Sequence, residues 1–320
     1  MWRYILKRLV MLIPVMLGTI LVVYFIMDLS DVDPARVILG DAATEETVAQ
    51  LHEELGLDDP FLVRYGRYIW DLLHGDMGQS YTYHTAVSDQ IMQRLPNTFL
   101  LAGTGILLSV IIGIPIGVLA AKKQYSLFDN VSMVLCLFGA ASPAFWIGLV
   151  LVLVFSLHLG IFPASGMGRG FFGVLRSLVL PAITLSLHST AMAARTTRSS
   201  MLETIRQDYV DTARAKGVSE STITVRHMLR NALIPVITAV GLNFGVLLGG
   251  SVLTETVFAW PGIGRYVIEA IKLKDIPSVL GCVVTLSVMF TVVNLLVDLL
   301  YAFVDPRIKA QYKQGRGRAK

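Results

Sequence analysis

An all-α, polytopic membrane protein with six spanning helices is the fold class this sequence predicts, and three observations predict it. Of 320 residues, 54% are hydrophobic and 16% charged, with a mean hydropathy of +0.64. That is too few ionisable groups to coat a soluble globule of this size. Lys, Arg, Asp and Glu are absent from six separate stretches, 9–27, 95–121, 130–168, 177–194, 231–254 and 276–297, of 19, 27, 39, 18, 24 and 22 residues. A hydrocarbon core of roughly 30 Å needs about 20 helical residues, so each run has membrane length. Basic residues, finally, alternate in density between successive connecting segments: segments 1–8, 122–129, 195–232 and 305–320 carry 18 Lys and Arg, and the longer segments on the other side carry nine. The positive-inside rule then places both termini in the cytoplasm.

The first element, residues 1–30, is a basic stub (Arg3, Lys7, Arg8) and a spanning helix. A cleaved signal peptide is the competing reading; the apolar run is too long for one, and Tyr24–Asp31 offers no small-x-small cleavage site. Residues 31–97 form an acidic segment, twelve Asp and Glu against four Arg, expected outside the membrane as a small helical module. Thr44 starts a helix carrying Val48, Leu51 and Leu55 and ending at Gly56. Asp59-Pro60 is an N-cap and first-turn pair for a second helix, whose apolar side takes Leu62, Tyr65, Ile69, Leu72 and Leu73 and which stops at His74-Gly75. The module reads equally as a cap on the span ends or as a docking surface; excision of residues 40–90 is expected to weaken the response to an outside partner.

Residues 98–304 hold the other five spans. Gly113, Pro115 and Gly117 mark a kink in the second, and Pro143 one in the third. The 39-residue run is read as one span followed by an external or re-entrant loop, because its end, Leu159–Gly168, holds three Gly and a Pro. In the fifth span, Gly241, Gly245 and Gly249 form a ladder that lets a neighbouring helix approach closely. Residues 305–320 are a basic cytoplasmic tail.

Chemistry-bearing groups are sparse. Asp28, Glu255 and Asp298 fall near span ends, where headgroups and water reach them; His188, Asn243 and Asn294 lie deeper and read as interhelical hydrogen bonders. Cys136 and Cys282 lie within spans and build neither a disulfide framework nor a metal site. No GxxxxGK[ST] phosphate loop and no HExxH occur, so the chain carries no ATP-hydrolysing or zinc-protease motif of its own. Ser142 with His158 or His188 is the one set from which an intramembrane serine protease could be assembled, and Pro143 directly after the serine is unsuited to an oxyanion-forming turn.

The informative segment is 195–232, 38 residues between two spans where the first inner loop has eight. It reads as helix, break, helix: Ser200–Lys216 is free of Gly and Pro, Gly217 interrupts, and Ser219-Glu-Ser221 starts a new helix, with Leu202, Ile205 and Tyr209 along one side. A basic helix on anionic lipid is one reading. Four acids interleave with the seven bases, however, which suits a specific protein contact better.

Asp211-Thr-Ala-Arg-Ala-Lys-Gly217 resembles the EAA-x3-G signature of permease subunits in ATP-binding-cassette importers, with Asp211 for the usual Glu and Thr212 for the first Ala. Arg226-His-Met-Leu-Arg-Asn-Ala-Leu-Ile-Pro235 resembles the dipeptide, oligopeptide and nickel branch of that family. Further matches to the branch run through the chain in order: Arg3–Arg8, Asp33-Pro-Ala-Arg36, Glu54–Pro60, Gly75-Asp-Met-Gly78, Phe258–Tyr266, Asn294–Tyr301 and Asp305–Lys309.

The resemblance implies the type I importer permease fold, location in a bacterial or archaeal cell (inner) membrane, and a chain that is not itself an enzyme. It implies partners: a second permease, usually a different related chain, two ATP-binding-cassette ATPases that use ATP and Mg, and an extracytoplasmic binding protein. No cofactor, metal or nucleic acid is expected on this chain. Tyr209, Asp211, Thr212, Ala213, Ala215 and Gly217 would form the ATPase-coupling loop; Trp260, Pro261, Gly262 and Gly264 would form an extracytoplasmic gate or docking loop. By position alone Trp260 is equally an interfacial belt residue, with Pro261 opening a short helix through Ile263, Val267 and Ile271. The implied function is import of a dipeptide, oligopeptide, glutathione-like compound or chelated nickel. The alternative is a self-contained secondary carrier, which calls for an internal repeat; none relates the first three spans to the last three.

Overall fold

The computed structural model describes residues 2–29, 33–40 and 43–304. The Asp298 side chain and the tail 305–320 lie outside the described residues. Among those residues the chain is helical, with an isolated bridge between Gln79 and Ala86. Five helices are long and apolar enough to cross a membrane: Val10–Asp28, Val87–Lys122, Gly170–Ile205, Glu220–Val257 and Ile276–Val297. A sixth candidate is a pair, Leu127–Ala141 and Ala144–His158, bent by 106°.

The bend falls at Pro143, where a kink in the third span is expected, and at 106° it breaks the helix in two. Helix α6 (Leu127–Ala141) stops at Ser142, whose backbone is extended and whose hydroxyl donates to the Phe138 carbonyl at 2.8 Å. Pro143, with no N–H to continue the ladder, precedes α7 (Ala144–Leu151), which runs on as a π-helical turn, Val152–His158. His188 bonds the Ala140 carbonyl at 3.3 Å and His158 the Leu153 carbonyl at 3.2 Å, each through Nδ1, while the Ser142 hydroxyl is given to the Phe138 carbonyl.

The described chain forms two compact units. The first comprises Phe99–Ala259 with Phe290 onward. Within it, α5 (Val87–Lys122) and α8 (Gly170–Ile205) meet at Gly113 and Gly117. A Cβ on Gly117 would lie 2.5 Å from the Ala194 carbonyl oxygen, and one on Gly113 2.8 Å from the Thr190 carbonyl oxygen. The pair serves as a contact ridge in an uninterrupted helix. In α11 (Arg230–Val257), Gly241 and Gly245 face Val297 and Asn294 of α13 (Ile276–Val304), whereas Gly249, the third rung of the ladder, meets nothing within 4 Å. Asp129 at the start of α6 is buried and paired in both oxygens with Arg198, at 2.6 and 2.7 Å. Glu255 is also fully buried, accepting from Ser251 at 3.1 Å, so the span end where it sits is not a solvated one. Asn243 bonds the Ala239 carbonyl of its own helix, not a neighbour.

The second unit comprises Trp2–Thr98 with Trp260–Met289. It holds α1 (Trp2–Asp28), α2 (Pro34–Leu39), α3 (Glu45–Leu55), α4 (Phe61–Leu73), the first turns of α5, α12 (Ile263–Leu273) and the first turns of α13. Thr44 caps α3 by accepting from the Thr47 N–H, and Gly56 closes it at φ +59, as its sequence predicts. At α4 the expected cap shifts by one residue: Pro60 is the N-cap, and the Asp59 carboxylate instead pairs with Arg67. The face of α4 also differs. Tyr65, Tyr68, Ile69 and Leu72 pack on Ile20, Leu280 and Val284, while Leu62 and Leu73 are exposed. Because this helix is part of the packing of α1 and α13, excising 40–90 would remove core contacts and is not a clean test of docking.

Charge-free runs understate helix length at both ends of the connecting segments. The helix α5 begins at Val87, eight residues before its run, and α8 continues to Ile205, eleven residues past its own. Backbone hydrogen bonding needs no apolar side chains, so a span continues into the aqueous phase as the same helix.

Candidate functional site

Between α8 and α11 the irregular chain is short. After Ile205 it breaks at Arg206-Gln207, forms α9 (Asp208–Ala215), turns at Gly217, and re-enters helix through α10 (Glu220–Thr222) and a π-helical turn, Ile223–Leu229. The break at Arg206-Gln207 has no Gly or Pro to announce it.

Two residues anchor α9. Val210 is 0% and Ala213 8% exposed, one turn apart, and both enter a cluster with Ala121, Met201, Ile223 and Met228. Leu202 and Ile205 pack against the same cluster, as expected, but Tyr209 does not. It is exposed, and its hydroxyl accepts from the Asn231 amide at 2.9 Å. The other six residues of α9 are exposed, among them the expected coupling residues Asp211, Thr212 and Ala215.

Gly217 has a local reason. Its φ is +75°, its N–H bonds the Arg214 carbonyl at 2.9 Å, and the Val218 N–H bonds the Ala213 carbonyl at 3.2 Å. Those two bonds, with Val218 packed against the cluster that holds Ala213, make a Schellman cap. Arg214 then ties the turn to the next helix, donating to Glu220 at 2.8 Å and to Asp211 at 3.2 Å. The two acceptors hold the guanidinium pKa above its ordinary value, Glu220 contributing most. A cleft of about 270 Å³ beside this turn is lined by Lys122, Arg206, Arg214 and Glu220 among others.

The second predicted group, 260–264, belongs to the other unit. Trp260 is 0% exposed, which removes it as a membrane-belt residue and as a contact surface of its own. Its indole N–H donates to the Asn97 carbonyl at 2.9 Å, and the Asn97 amide donates to the Pro261 carbonyl at 2.8 Å. Gly262, the N-cap of α12, has no side chain to cap with; the Thr98 hydroxyl accepts from the Ile263 N–H at 2.9 Å in its place. Gly264 and Val267 are buried, whereas Ile271 is half exposed. Tyr266 lies under the Arg94 guanidinium, 4.4 Å from the ring centre, and its hydroxyl meets Ser278 at 2.7 Å. Asn97, Thr98 and Arg94 carry no signal in the sequence that assigns them to this loop.

Among the described residues no cluster of His, Cys, Asp and Glu fits a metal ion. The arrangement has no assembled nucleophile and base. What it has is a small surface helix fastened to the ends of three span-length helices, and a buried loop clasped by one of them.

Comparison with known proteins gives this architecture a family. Residues 113–310 match the family described as binding-protein-dependent transport system inner membrane component, and residues 1–102 match its N-terminal counterpart. The chain belongs to this family and is a transport permease subunit of an ATP-binding-cassette importer, not a self-contained carrier. It is 44% identical over 312 residues to a putative peptide transport system permease protein of Brucella abortus, covering 97% of this chain and 99% of the relative. It is 40% identical over 332 residues to the dipeptide transport system permease protein DppB of Alkalihalophilus pseudofirmus, covering 97% and 100%. With DppB of Escherichia coli K12 the identity is 38% over 336 residues, covering 97% and 99%. Among solved structures, a chain of the inward-facing MetNI methionine ABC transporter superposes with a TM-score of 0.52 at 16% identity, covering 67% of this chain and 96% of that one. A chain of an amino acid ABC transporter gives 0.51 at 16% identity, covering 67% and 92%. These two share the fold.

Proposed function

We propose that this chain forms half of an import pathway for a peptide-like solute, with α9 as the element through which separate ATPase subunits move it. The observation that carries the coupling role is the split surface of α9: Val210 and Ala213 are sunk into the ends of α8 and α11, and the rest of the helix stands free. A close-packed seam transmits displacement, so a push on the free face of α9 moves α8 and α11 with it. The names of the relatives support a peptide solute, and the basic-residue asymmetry supports a topology with both termini and α9 in the cytoplasm.

In that topology residues 31–97 are the extracytoplasmic module, 305–320 the cytoplasmic tail, and 260–264 a loop near the outer mouth that moves as one piece with Asn97 and Thr98. The remaining partners are a second permease, which closes the pathway, and a binding protein that delivers the solute.

The test is uptake of labelled dipeptide by cells carrying Ala213→Pro, together with mass spectrometry of what co-purifies with the tagged chain in mild detergent. Proline at 213 removes a helix N–H inside α9 and should abolish uptake without preventing membrane insertion. Thr212→Trp alters the free face alone and should release the ATPases from the purified complex. Normal uptake by both variants, or a wild-type chain that purifies without any ATPase, would remove α9 from the mechanism.

A further inference from the structure

Helix α4 has two apolar faces, and its packing accounts for one. Tyr65, Tyr68, Ile69 and Leu72 lie in the cluster with Ile20, Leu280 and Val284. On the other side Leu62 is 73% exposed, Val63 50%, Trp70 64% and Leu73 77%. At about 100° per residue these four and the exposed Gly66 fall within a single stripe about 100° wide. Arg64, Arg67 and Asp71 occupy the remaining arc.

The level of α4 along the spans says what the stripe meets. The Tyr65 hydroxyl donates to the Leu17 carbonyl at 2.9 Å, and the neighbouring Arg64 donates to the Asp28 carboxylate at 2.7 Å. Leu17 lies eleven residues before Asp28, about 16 Å down a helix rising about 1.5 Å per residue. Adjacent residues of α4 thus reach in opposite directions, one toward the polar end of α1 and one well into its apolar stretch. The helix axis therefore runs below Asp28, beside Met16, Ile20, Val23 and Tyr24 of a span-length helix. The helix beside α4 also presents apolar surface that the bilayer must cover: Phe61, on the packed side of α4, lies edge-on against Phe25, which is itself 51% exposed on α1 next to Val22 and Ile26.

We propose that α4 is a membrane-embedded helix, lying in the headgroup–acyl boundary of the leaflet at the Asp28 end, with Leu62, Val63, Trp70 and Leu73 against lipid acyl chains. Under the topology proposed above this is the outer leaflet. Arg64 snorkels to Asp28 and Arg67 to Asp59, which keeps both charges out of the hydrocarbon. Trp70, tilted at 47° against His74 with ring centres 4.7 Å apart, takes the interfacial aromatic position. The segment between the first two spans thereby becomes a lipid-anchored brace for α1 and α13, not a cap standing in water.

The test uses the assembled transporter in phosphatidylethanolamine–phosphatidylglycerol vesicles, with nitroxide labels at Leu62→Cys, Trp70→Cys, Leu73→Cys and, for the polar arc, Asp71→Cys. Cys136 and Cys282 are buried, and the unsubstituted chain sets their background. Oxygen partitions into acyl chains and a nickel chelate into water, so labels at 62, 70 and 73 should show an oxygen-to-nickel relaxation ratio several-fold above that at 71. Equal or greater nickel relaxation at the three sites would put the stripe in water and overturn the proposal. Shielding from both relaxants would overturn it too, by showing a protein partner on the stripe. Neither result bears on the role of α9.

Discussion

Trp260 and Asn97, 163 residues apart, are joined by a hydrogen bond from the indole N–H to the Asn97 carbonyl, and the Asn97 amide returns one to the carbonyl of the next residue, Pro261. The clasp pins the start of α12 to α5, about three turns past its first residue. Trp260→Phe keeps an aromatic ring but loses the indole N–H and some volume, a loss of about 1 to 3 kcal/mol. Trp260→Ala adds a cavity and should cost about 3 to 5 kcal/mol. Thermal unfolding of the purified complex checks this order; equal midpoints for the Phe variant and wild type would show that the clasp contributes nothing.

Gly217 is required for its backbone, not for space. A Cβ there meets nothing within 4 Å, yet φ is +75°. Gly217→Ala should cost about 1 to 2 kcal/mol of local stability, and Gly217→Asn less, because asparagine tolerates the left-handed region. Hydrogen exchange across Asp208–Ala215 is the readout. Alanine protecting α9 as well as glycine does would show that the cap is not limiting.

Gly117 and Gly249 should respond in opposite ways. Alanine at 117 drives a methyl group against the backbone of α8, which cannot yield as a side chain end does, and should cost about 1 to 3 kcal/mol. Alanine at 249 enters open space and should change stability by no more than about 1 kcal/mol, in the stabilising direction. Similar losses at both positions would mean that Gly249 is covered by a partner in the assembled transporter.

His52 makes the α2–α3 region sensitive to pH. Its two ring nitrogens face Asp58 at 3.0 Å and Asp33 at 2.7 Å, so both carboxylates favour the imidazolium and raise its pKa above the ordinary 6.5, Asp58 contributing most. A raised pKa in the fold means stabilisation that is complete below about 6.5 and is lost as pH rises through the folded value. Asp33 runs the other way. Burial pushes its carboxyl up, but bonds from His52 and the Ala35 N–H outweigh this and hold it below the ordinary 3.8. Its contribution is present above 3.8 and disappears as pH falls through the lowered value. Exchange protection of residues 33–58, corrected for intrinsic rates, should therefore be greater at pH 6 than at pH 8. His52→Gln should abolish the difference; a persistent difference would assign it to another group.

Much of this protein was legible in one dimension because the forces concerned are local. Charge-free runs of membrane length marked the spans, since transfer free energy is set residue by residue. Thr44 and Gly56 marked α3, and Gly217 the end of α9, since caps use only neighbouring backbone groups. The residues proposed to couple, Asp211–Gly217, are contiguous, but that Val210 and Ala213 anchor their helix, and Tyr209 does not, comes from the tertiary structure. What no reading along the chain supplies is the partner of a long-range contact. Only the tertiary structure decided that Trp260 is clasped by Asn97, that Asp129 pairs with Arg198, that Gly113 and Gly117 form the tight crossing while Gly249 stands open, and that α6 and α7 fold back at 106°. It also decided which face of α4 packs on α1 and α13, because an amphipathic pattern states which side of a helix is apolar but not what meets it.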